Sequence, residues 1–176
     1  MSDARHELLK SLIRDVPDFP KPGILFKDIT PLLAHPEGFV ACLDLLAEHA
    51  QASGAEALVG MESRGFIFGA ALAARLGLPF VPARKPGKLP APAARVEYAL
   101  EYGTDALEMH LDALAPGQKT LIVDDLIATG GTARATAELV AKVGGEVVGF
   151  AFVIELTFLS GREKLAPHPV HALLTY

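Results

Sequence analysis

The sequence has little of several features that mark particular protein classes. Its single cysteine, Cys42, excludes an intrachain disulfide and a zinc site made of several cysteines, and it is typical of a reducing compartment. The longest apolar run, 147–154, is far too short to span a bilayer. The polar first seven residues lack the apolar stretch of a secretory signal. We therefore expect a cytoplasmic protein without a membrane partner.

Several ligand-binding signatures are also missing. The sequence has no GxxxxGK[ST] segment, which argues against an ATPase, and Gly130-Gly131 lacks the glycine spacing of dinucleotide-binding folds. Its six histidines are scattered without metal-ligand spacing. The formal net charge of −5 gives no sign of the basic face that a nucleic-acid-binding protein needs. We expect no nucleic-acid partner.

What the sequence does contain is an alternation of strands and helices. A length of 176 residues suits one domain with a core of its own. The predicted strands are continuously apolar, which favours an α/β fold with an open, mainly parallel sheet covered by helices on both faces. Ligands of such sheets bind beyond the carboxyl ends of the strands. We predict helices over 5–15, 39–50, 64–76 and 132–143, and strands over 57–61, 78–82, 119–123, 146–154 and 170–175.

The segment 121–132 is the most informative one. An apolar run ends in Asp124 and Asp125, and a loop of small residues then opens directly into a helix. Amides of such a loop and a helix N-terminus bind phosphate, whereas adjacent carboxylates repel it. Sugar hydroxyls or a hydrated divalent cation must therefore lie between them, and we predict a phosphorylated sugar as the ligand. The expected phosphate site is Ala128, Thr129, Gly130, Gly131 and Thr132, although these residues also suit an ordinary strand-to-helix turn.

Residues 84–104 have a different composition from their surroundings. They are rich in Arg, Lys, Pro, Gly and Ala, and they show little steady periodicity before Val96. We predict a long, flexible loop here. Long loops in compact domains are usually functional.

These segments make the chain resemble the type I phosphoribosyltransferase family over nearly its full length. The diacid loop marks the broad family, whereas other motifs resemble its adenine-specific members. Those motifs are the phenylalanine–aspartate turn within PDFPKPGILFKDITP at 17–31, the ESRGF segment of ESRGFIFG at 62–69, and RKPGKLP at 84–90 with LEYG at 100–103. The resemblance extends to ELT at 155–157 and GREK at 161–164.

The resemblance implies an activity and an architecture. The expected reaction is a purine-salvage step, in which ribose 5-phosphate passes from phosphoribosyl pyrophosphate to adenine and gives AMP and pyrophosphate. Mg²⁺ is implied as the cofactor, bound chiefly through the substrate and with Asp124 and Asp125 as candidate ligands. Members are commonly homodimers. The implied architecture is one domain, 1–176, with a small hood made mainly from residues 1–35.

The resemblance also assigns roles to individual residues. Glu101 is the candidate proton-handling residue, and Asp124 and Asp125 hold the ribose hydroxyls and stabilise charge on the sugar. Pyrophosphate binding is assigned to Glu62, Ser63, Arg64, Arg84, Lys85, Lys88 and Tyr102. Adenine binding is assigned to Leu25, Phe26, Lys27 and Leu156, with main-chain groups of Leu25 and Lys27 contacting the edge of the base.

Each assignment has a plainer structural alternative. Arg64 also suits the surface of a helix start, the lysines a solvated loop, and Glu101 an exposed loop position. Phe26 and Leu156 also suit core packing, since most such residues are buried. Two other functions stay open on sequence grounds: transfer to a 6-oxopurine or to orotate, and a non-catalytic regulator that keeps the fold.

Overall fold

The computed structural model describes residues 2–99 and 103–176, and these fall into two compact units. The first unit ends at Leu45 and contains α1 (Ser2–Ser11), β1 (Arg14–Pro17), β2 (Leu25–Asp28), α2 (Thr30–Ala34) and the start of α3 (Pro36–Ala52). The strands β1 and β2 form an antiparallel pair in which Arg14 lies opposite Asp28. The helix predicted over 5–15 is therefore wrong beyond Ser11, because pairing with β2 takes Arg14 onward into a strand.

The second unit, Leu46–Tyr176, is built on a five-stranded parallel sheet. Its strands lie in the order β4 (Phe80–Ala83), β3 (Ala57–Met61), β7 (Lys119–Ile127), β8 (Glu146–Glu155) and β9 (Val170–Thr175). All four neighbouring pairs are parallel, so their carboxyl ends share one edge. The predicted α/β fold with an open parallel sheet is confirmed.

Two helices, α4 (Gly65–Leu76) and α5 (Gly131–Lys142), pack against this sheet. Buried side chains of both sheet and helices form the core, among them Ile122, Phe150, Phe152 and Leu139. Two short 3-10 turns, Thr157–Leu159 and Gly161–Leu165, join β8 to β9. Among the residues described, no helix is long and apolar enough to cross a membrane.

The segment 84–104 contains regular structure that the sequence did not reveal. Ala93–Ala99 forms β5, which pairs antiparallel with β6 (Thr104–His110) over its full length. The predicted loop is thus wrong over 93–99 and at Thr104, the first residue of β6, whereas 84–92 form neither helix nor strand and 100–102 lie outside the described residues. The amide and carbonyl of Arg84 also bond Glu108 of β6, at 2.9 and 2.8 Å, which ties the hairpin to the end of β4.

Candidate active site

A polar cleft of about 260 Å³ lies where the order of the strands reverses. The chain runs from β3 outward to β4 and then returns to β7 on the other side of β3. Open parallel sheets bind ligands at such a reversal, beyond the carboxyl ends of the strands. The cleft is lined by Met61, Glu62, Arg64, Lys85, Asp124, Asp125, Leu126, Ile127, Ala128, Thr129, Gly130, Gly131, Thr132, Ala133 and Phe152.

The two acids face this cleft from within β7. The strand continues to Ile127, so the sequence-based strand end at Val123 is too early. Asp124 Oδ1 accepts the amide of Asp125 at 2.8 Å. Burial, and secondly the neighbouring charge of Asp125, raises the pKa of Asp124 well above its usual range. Two adjacent carboxyl groups, one buried and one partly buried, form a site that favours hydrogen-bond donors or cations.

Arg64 and Gly65 bring the start of α4 to these acids. Arg64 Nε donates to Asp125 Oδ2, with Asp125 almost fully buried and Arg64 half exposed. A methyl group at Gly65 would lie 2.8 Å from the Val123 carbonyl oxygen and 2.9 Å from Asp124 Oδ1. A glycine is therefore required for this approach. The residue before the helix is Arg64, and no side chain caps the start of the helix.

The loop after β7 has the geometry of an anion site. Gly130 adopts a left-handed conformation, with φ of 78°, and precedes the first residue of α5. The first intrahelical bond from this end is Arg134 N–H to Gly130 O, at 3.0 Å. The preceding amides of a helix's first turn have no partner inside the helix and carry its positive end. Gly131 and Thr132 place such amides beside the cleft.

Glu62 accepts hydrogen bonds from three cationic residues that follow β4. Its carboxylate accepts Lys88 Nζ, the amide of Lys85 at 2.8 Å and Arg84 Nε at 3.3 Å. Partial burial raises its pKa, but these hydrogen bonds outweigh burial and lower the pKa of Glu62 to about 2. Arg84 and Lys88 are not among the residues lining the cleft, whereas Glu62 and Lys85 are. Ser63 follows a cis peptide bond and is exposed.

Lys85 contacts two residues that sequence reasoning missed. Its ammonium donates to Asp105 Oδ2 and, at 3.3 Å, to the hydroxyl of Tyr98. Tyr98 and Asp105 are paired across the β5–β6 hairpin. The hydrogen bond from Lys85 lowers the pKa of the Asp105 carboxyl. A hairpin prediction for this segment would have placed the two side chains together.

Three of the residues assigned to adenine lie on β2 in the first unit. Leu25 is half exposed, and Phe26 packs edge-to-face on Phe19 with ring centroids 5.1 Å apart. The Lys27 ammonium donates to Asp15 Oδ1 at 2.6 Å, and only 8% of this lysine side chain is exposed.

The fourth adenine residue, Leu156, lies in the second unit just after β8. It is half-buried, and its amide donates to Ile127 O at 3.0 Å. Glu101 and Tyr102 lie outside the described residues.

The two carboxylates of the cleft fit a Mg²⁺ ion whose other ligands come from the substrate. Asp124 and Asp125 supply the carboxylate oxygens that this ion prefers. Among residues 2–99 and 103–176, no group of three or more His, Cys, Asp or Glu side chains forms a metal cage. Mg²⁺ is usually held by one or two carboxylates together with substrate phosphates, which agrees with this donor set.

Comparison with known proteins identifies the relatives of the chain. Residues 28–168 match the phosphoribosyl transferase domain family. An adenine phosphoribosyltransferase of Rippkaea orientalis is 62% identical over 170 residues, covering 96% of this chain and 99% of its own.

Solved structures agree with this relationship. The crystal structure of an adenine phosphoribosyltransferase from Thermoanaerobacter pseudethanolicus is 51% identical, with a TM-score of 0.94 over 97% of this chain and 99% of that one. A Saccharomyces cerevisiae enzyme of the same name, complexed with an imino-altritol bisphosphate and adenine, is 41% identical with a TM-score of 0.94. That match covers 98% of this chain and 99% of the yeast chain.

Proposed function

Because the chain belongs to the adenine phosphoribosyltransferases, within the phosphoribosyltransferase family, we propose that the cleft beyond β3 and β7 is their reaction site. The reaction transfers ribose 5-phosphate from phosphoribosyl pyrophosphate to adenine and yields AMP and pyrophosphate, a step of purine salvage. One observation carries this placement: Asp124 and Asp125 share a single cleft with the glycine loop at the start of α5.

The glycine loop is the proposed site of the 5-phosphate. First-turn amides of α5 and the hydroxyls of Thr129 and Thr132 are the donors, and the positive helix end favours the dianion. The left-handed Gly130 lets the main chain turn so that these amides face the cleft. The assignment of Ala128, Thr129, Gly130, Gly131 and Thr132 to this phosphate is thereby supported.

The two acids are the proposed sugar-binding and charge-stabilising groups. Carboxylates accept the ribose 2- and 3-hydroxyls, and this fixes the sugar relative to the bound phosphate. As pyrophosphate departs, positive charge builds on the anomeric carbon. Both acids are held in advance by β7, and Asp125 also by Arg64, so they stabilise this charge without rearranging.

The cations around Glu62 are the proposed pyrophosphate site. Arg64 and Lys85 line the cleft, and Glu62 holds Arg84 and Lys88 near its rim. These side chains offset the charge that grows on the leaving group. Glu62 is an anion and would repel pyrophosphate, so we propose that it positions the cations. Mg²⁺, bound through substrate oxygens with Asp124 or Asp125, would supply further positive charge to the same leaving group.

The base contacts rest on family membership. Phe26 provides an apolar face for stacking, and Leu156 provides a second apolar contact. Main-chain groups of Leu25 and Lys27 are the proposed hydrogen-bonding partners of the adenine edge. Since the Lys27 ammonium is engaged by Asp15, the main-chain role is the better supported of its two possible contacts. Glu101 is the proposed proton-handling residue, and Tyr102 a pyrophosphate ligand.

The base assignment is tested by a panel of substrates. Pure protein, Mg²⁺ and phosphoribosyl pyrophosphate are incubated separately with adenine, hypoxanthine, guanine and orotate, and the nucleotide product is measured. We expect AMP with adenine and little product from the other bases. Faster formation of another nucleotide would contradict the adenine assignment, and no nucleotide from any base would contradict the activity itself.

Two further properties are proposed from the family alone. We propose that the enzyme is a cytoplasmic homodimer and that the segment 84–104 closes over bound substrate. Closure would exclude water, which competes with adenine for the reactive sugar carbon.

A further inference from the structure

An ion pair between a buried glutamate at the end of β8 and a half-exposed arginine in the following turn has no part in the reaction described above. Arg162 Nε donates to Glu155 Oε1 at 2.7 Å, and the second guanidinium nitrogen donates to Glu155 Oε2. Glu155 is the last residue of β8, and its side chain is 4% exposed, whereas that of Arg162 is 49% exposed. The hydrogen bond from Arg162 lowers the pKa of Glu155. This bidentate contact fixes the position of the turn that contains Arg162.

The residue before Arg162 touches the glycine loop through its backbone. A methyl group at Gly161 would press on the Ala128 carbonyl oxygen and lie 3.0 Å from the Gly130 nitrogen. In return, a methyl group at Gly130 would press on the Gly161 carbonyl oxygen and lie 3.3 Å from the Gly161 Cα. Neither contact leaves room for a side chain. The turn that contains Gly161 therefore packs against the glycine loop through main-chain atoms of both segments.

The turn is attached to the sheet on both sides of this contact. On one side, the Leu156 amide donates to Ile127 O at 3.0 Å, where β7 ends and the glycine loop begins. On the other side, Leu165 is 2% exposed and belongs to the hydrophobic core. Arg162 and Gly161 lie between these two attachments, and Arg162 is paired with Glu155 at the end of β8.

We propose that Arg162 is a positioning residue for the 5-phosphate: by pairing with Glu155 it presses Gly161 against Ala128 and Gly130 and preorganises the loop amides. Ligand affinity depends on how little the binding groups must be ordered when the ligand arrives. A loosened turn would let Gly130 and the following amides sample other conformations. The phosphate would then bind more weakly even though none of its direct donors has changed.

The inference rests on the proposed location of the 5-phosphate, and it predicts a selective effect. Ribose 5-phosphate should depend on Arg162, because its phosphate occupies the supported loop. Inorganic pyrophosphate should not, because its proposed cations are on Arg64 and on the segment after β4. A general loss of folding would weaken both ligands together.

The test uses the full chain and calorimetric titration with ribose 5-phosphate alone and, separately, with inorganic pyrophosphate and Mg²⁺. For Arg162→Ala we expect about tenfold weaker binding of ribose 5-phosphate, unchanged pyrophosphate binding and a raised KM for phosphoribosyl pyrophosphate. Arg162→Lys keeps the positive charge but cannot form the bidentate contact, so its affinity for ribose 5-phosphate should lie between those of the wild type and Arg162→Ala. Arg75→Ala removes an exposed arginine from the last turn of α4, far along that helix from the cleft, and should match the wild type.

A second pair of variants covers the case in which Arg162→Ala does not fold. Glu155→Gln keeps the shape of the acceptor, and Gly161→Ala inserts the methyl group that the loop excludes; both should reproduce the selective loss. Equal losses for both ligands, or no loss for ribose 5-phosphate, would overturn the positioning role. If the wild type itself fails to bind ribose 5-phosphate, the proposed phosphate site is wrong instead.

Discussion

Asp125→Asn should separate catalysis from folding more clearly than any other single change. A unit positive charge about 4 Å from a carboxylate interacts with it by about 4 kcal/mol at the effective dielectric constant of a protein surface. The charge on the sugar carbon is partial and Arg64 offsets some of the field, so we expect about 3 kcal/mol of lost stabilisation. That corresponds to roughly a hundredfold fall in kcat.

The cost to folding should be much smaller. Asp125 is buried but its partner Arg64 is half exposed, so the guanidinium can return to water when the carboxylate is replaced. The amide also costs less to bury than the charged carboxylate. We expect a change of about 1 kcal/mol or less in the free energy of unfolding.

The assay combines steady-state AMP formation with denaturant unfolding of the same preparation. Glu138→Gln serves as a control, since it neutralises an exposed acid that pairs with Arg134 at 3.2 Å on α5. Turnover of that variant should stay close to the wild type. The reasoning is refuted if Asp125→Asn loses turnover only in proportion to folded protein, because the acid would then be structural.

Three further outcomes follow from the described contacts. Gly130→Ala places a methyl group against the Gly161 carbonyl at a φ of 78°, so the KM for phosphoribosyl pyrophosphate should rise about tenfold or more, and an unchanged KM would contradict the close approach. Lys88→Met should weaken pyrophosphate binding severalfold in titrations, with the melting temperature nearly unchanged because the side chain is half exposed. Burial and the stacked ring of His171 lower the pKa of His49 to about 4, so the unfolded chain takes up a proton first as the pH falls. Stability should therefore fall between about pH 6.5 and pH 4, by about 3 kcal/mol, and His49→Gln should remove most of that slope in denaturation curves.

The sequence predicted those elements whose pattern is strong and local. The strand Ala57–Met61 is continuously apolar and buried at every position, and its predicted bounds are confirmed. The strand Val170–Thr175 is confirmed in the same way. The diacid and the glycine loop also lie together as expected, because both belong to one strand-to-helix connection.

Elements that depend on distant partners were predicted less well. The β5–β6 hairpin is held by pairing between its two strands and by the backbone bridge from Arg84 to Glu108. Neither contact produces a strong hydrophobic periodicity in the sequence. The contact of Lys85 with Asp105 depends on that hairpin. Glu62 was assigned to pyrophosphate because it belongs to the ESRGFIFG motif. Only the fold shows that its carboxylate already accepts hydrogen bonds from Arg84, Lys85 and Lys88.

The most direct test of the central claim is a crystal structure of the protein with phosphoribosyl pyrophosphate. We expect the 5-phosphate on the amides of residues 130–132 and the ribose hydroxyls on Asp124 and Asp125. A sugar phosphate bound elsewhere, for example in the separate hollow of about 530 Å³ lined by Arg134, Lys164 and His168, would contradict the account.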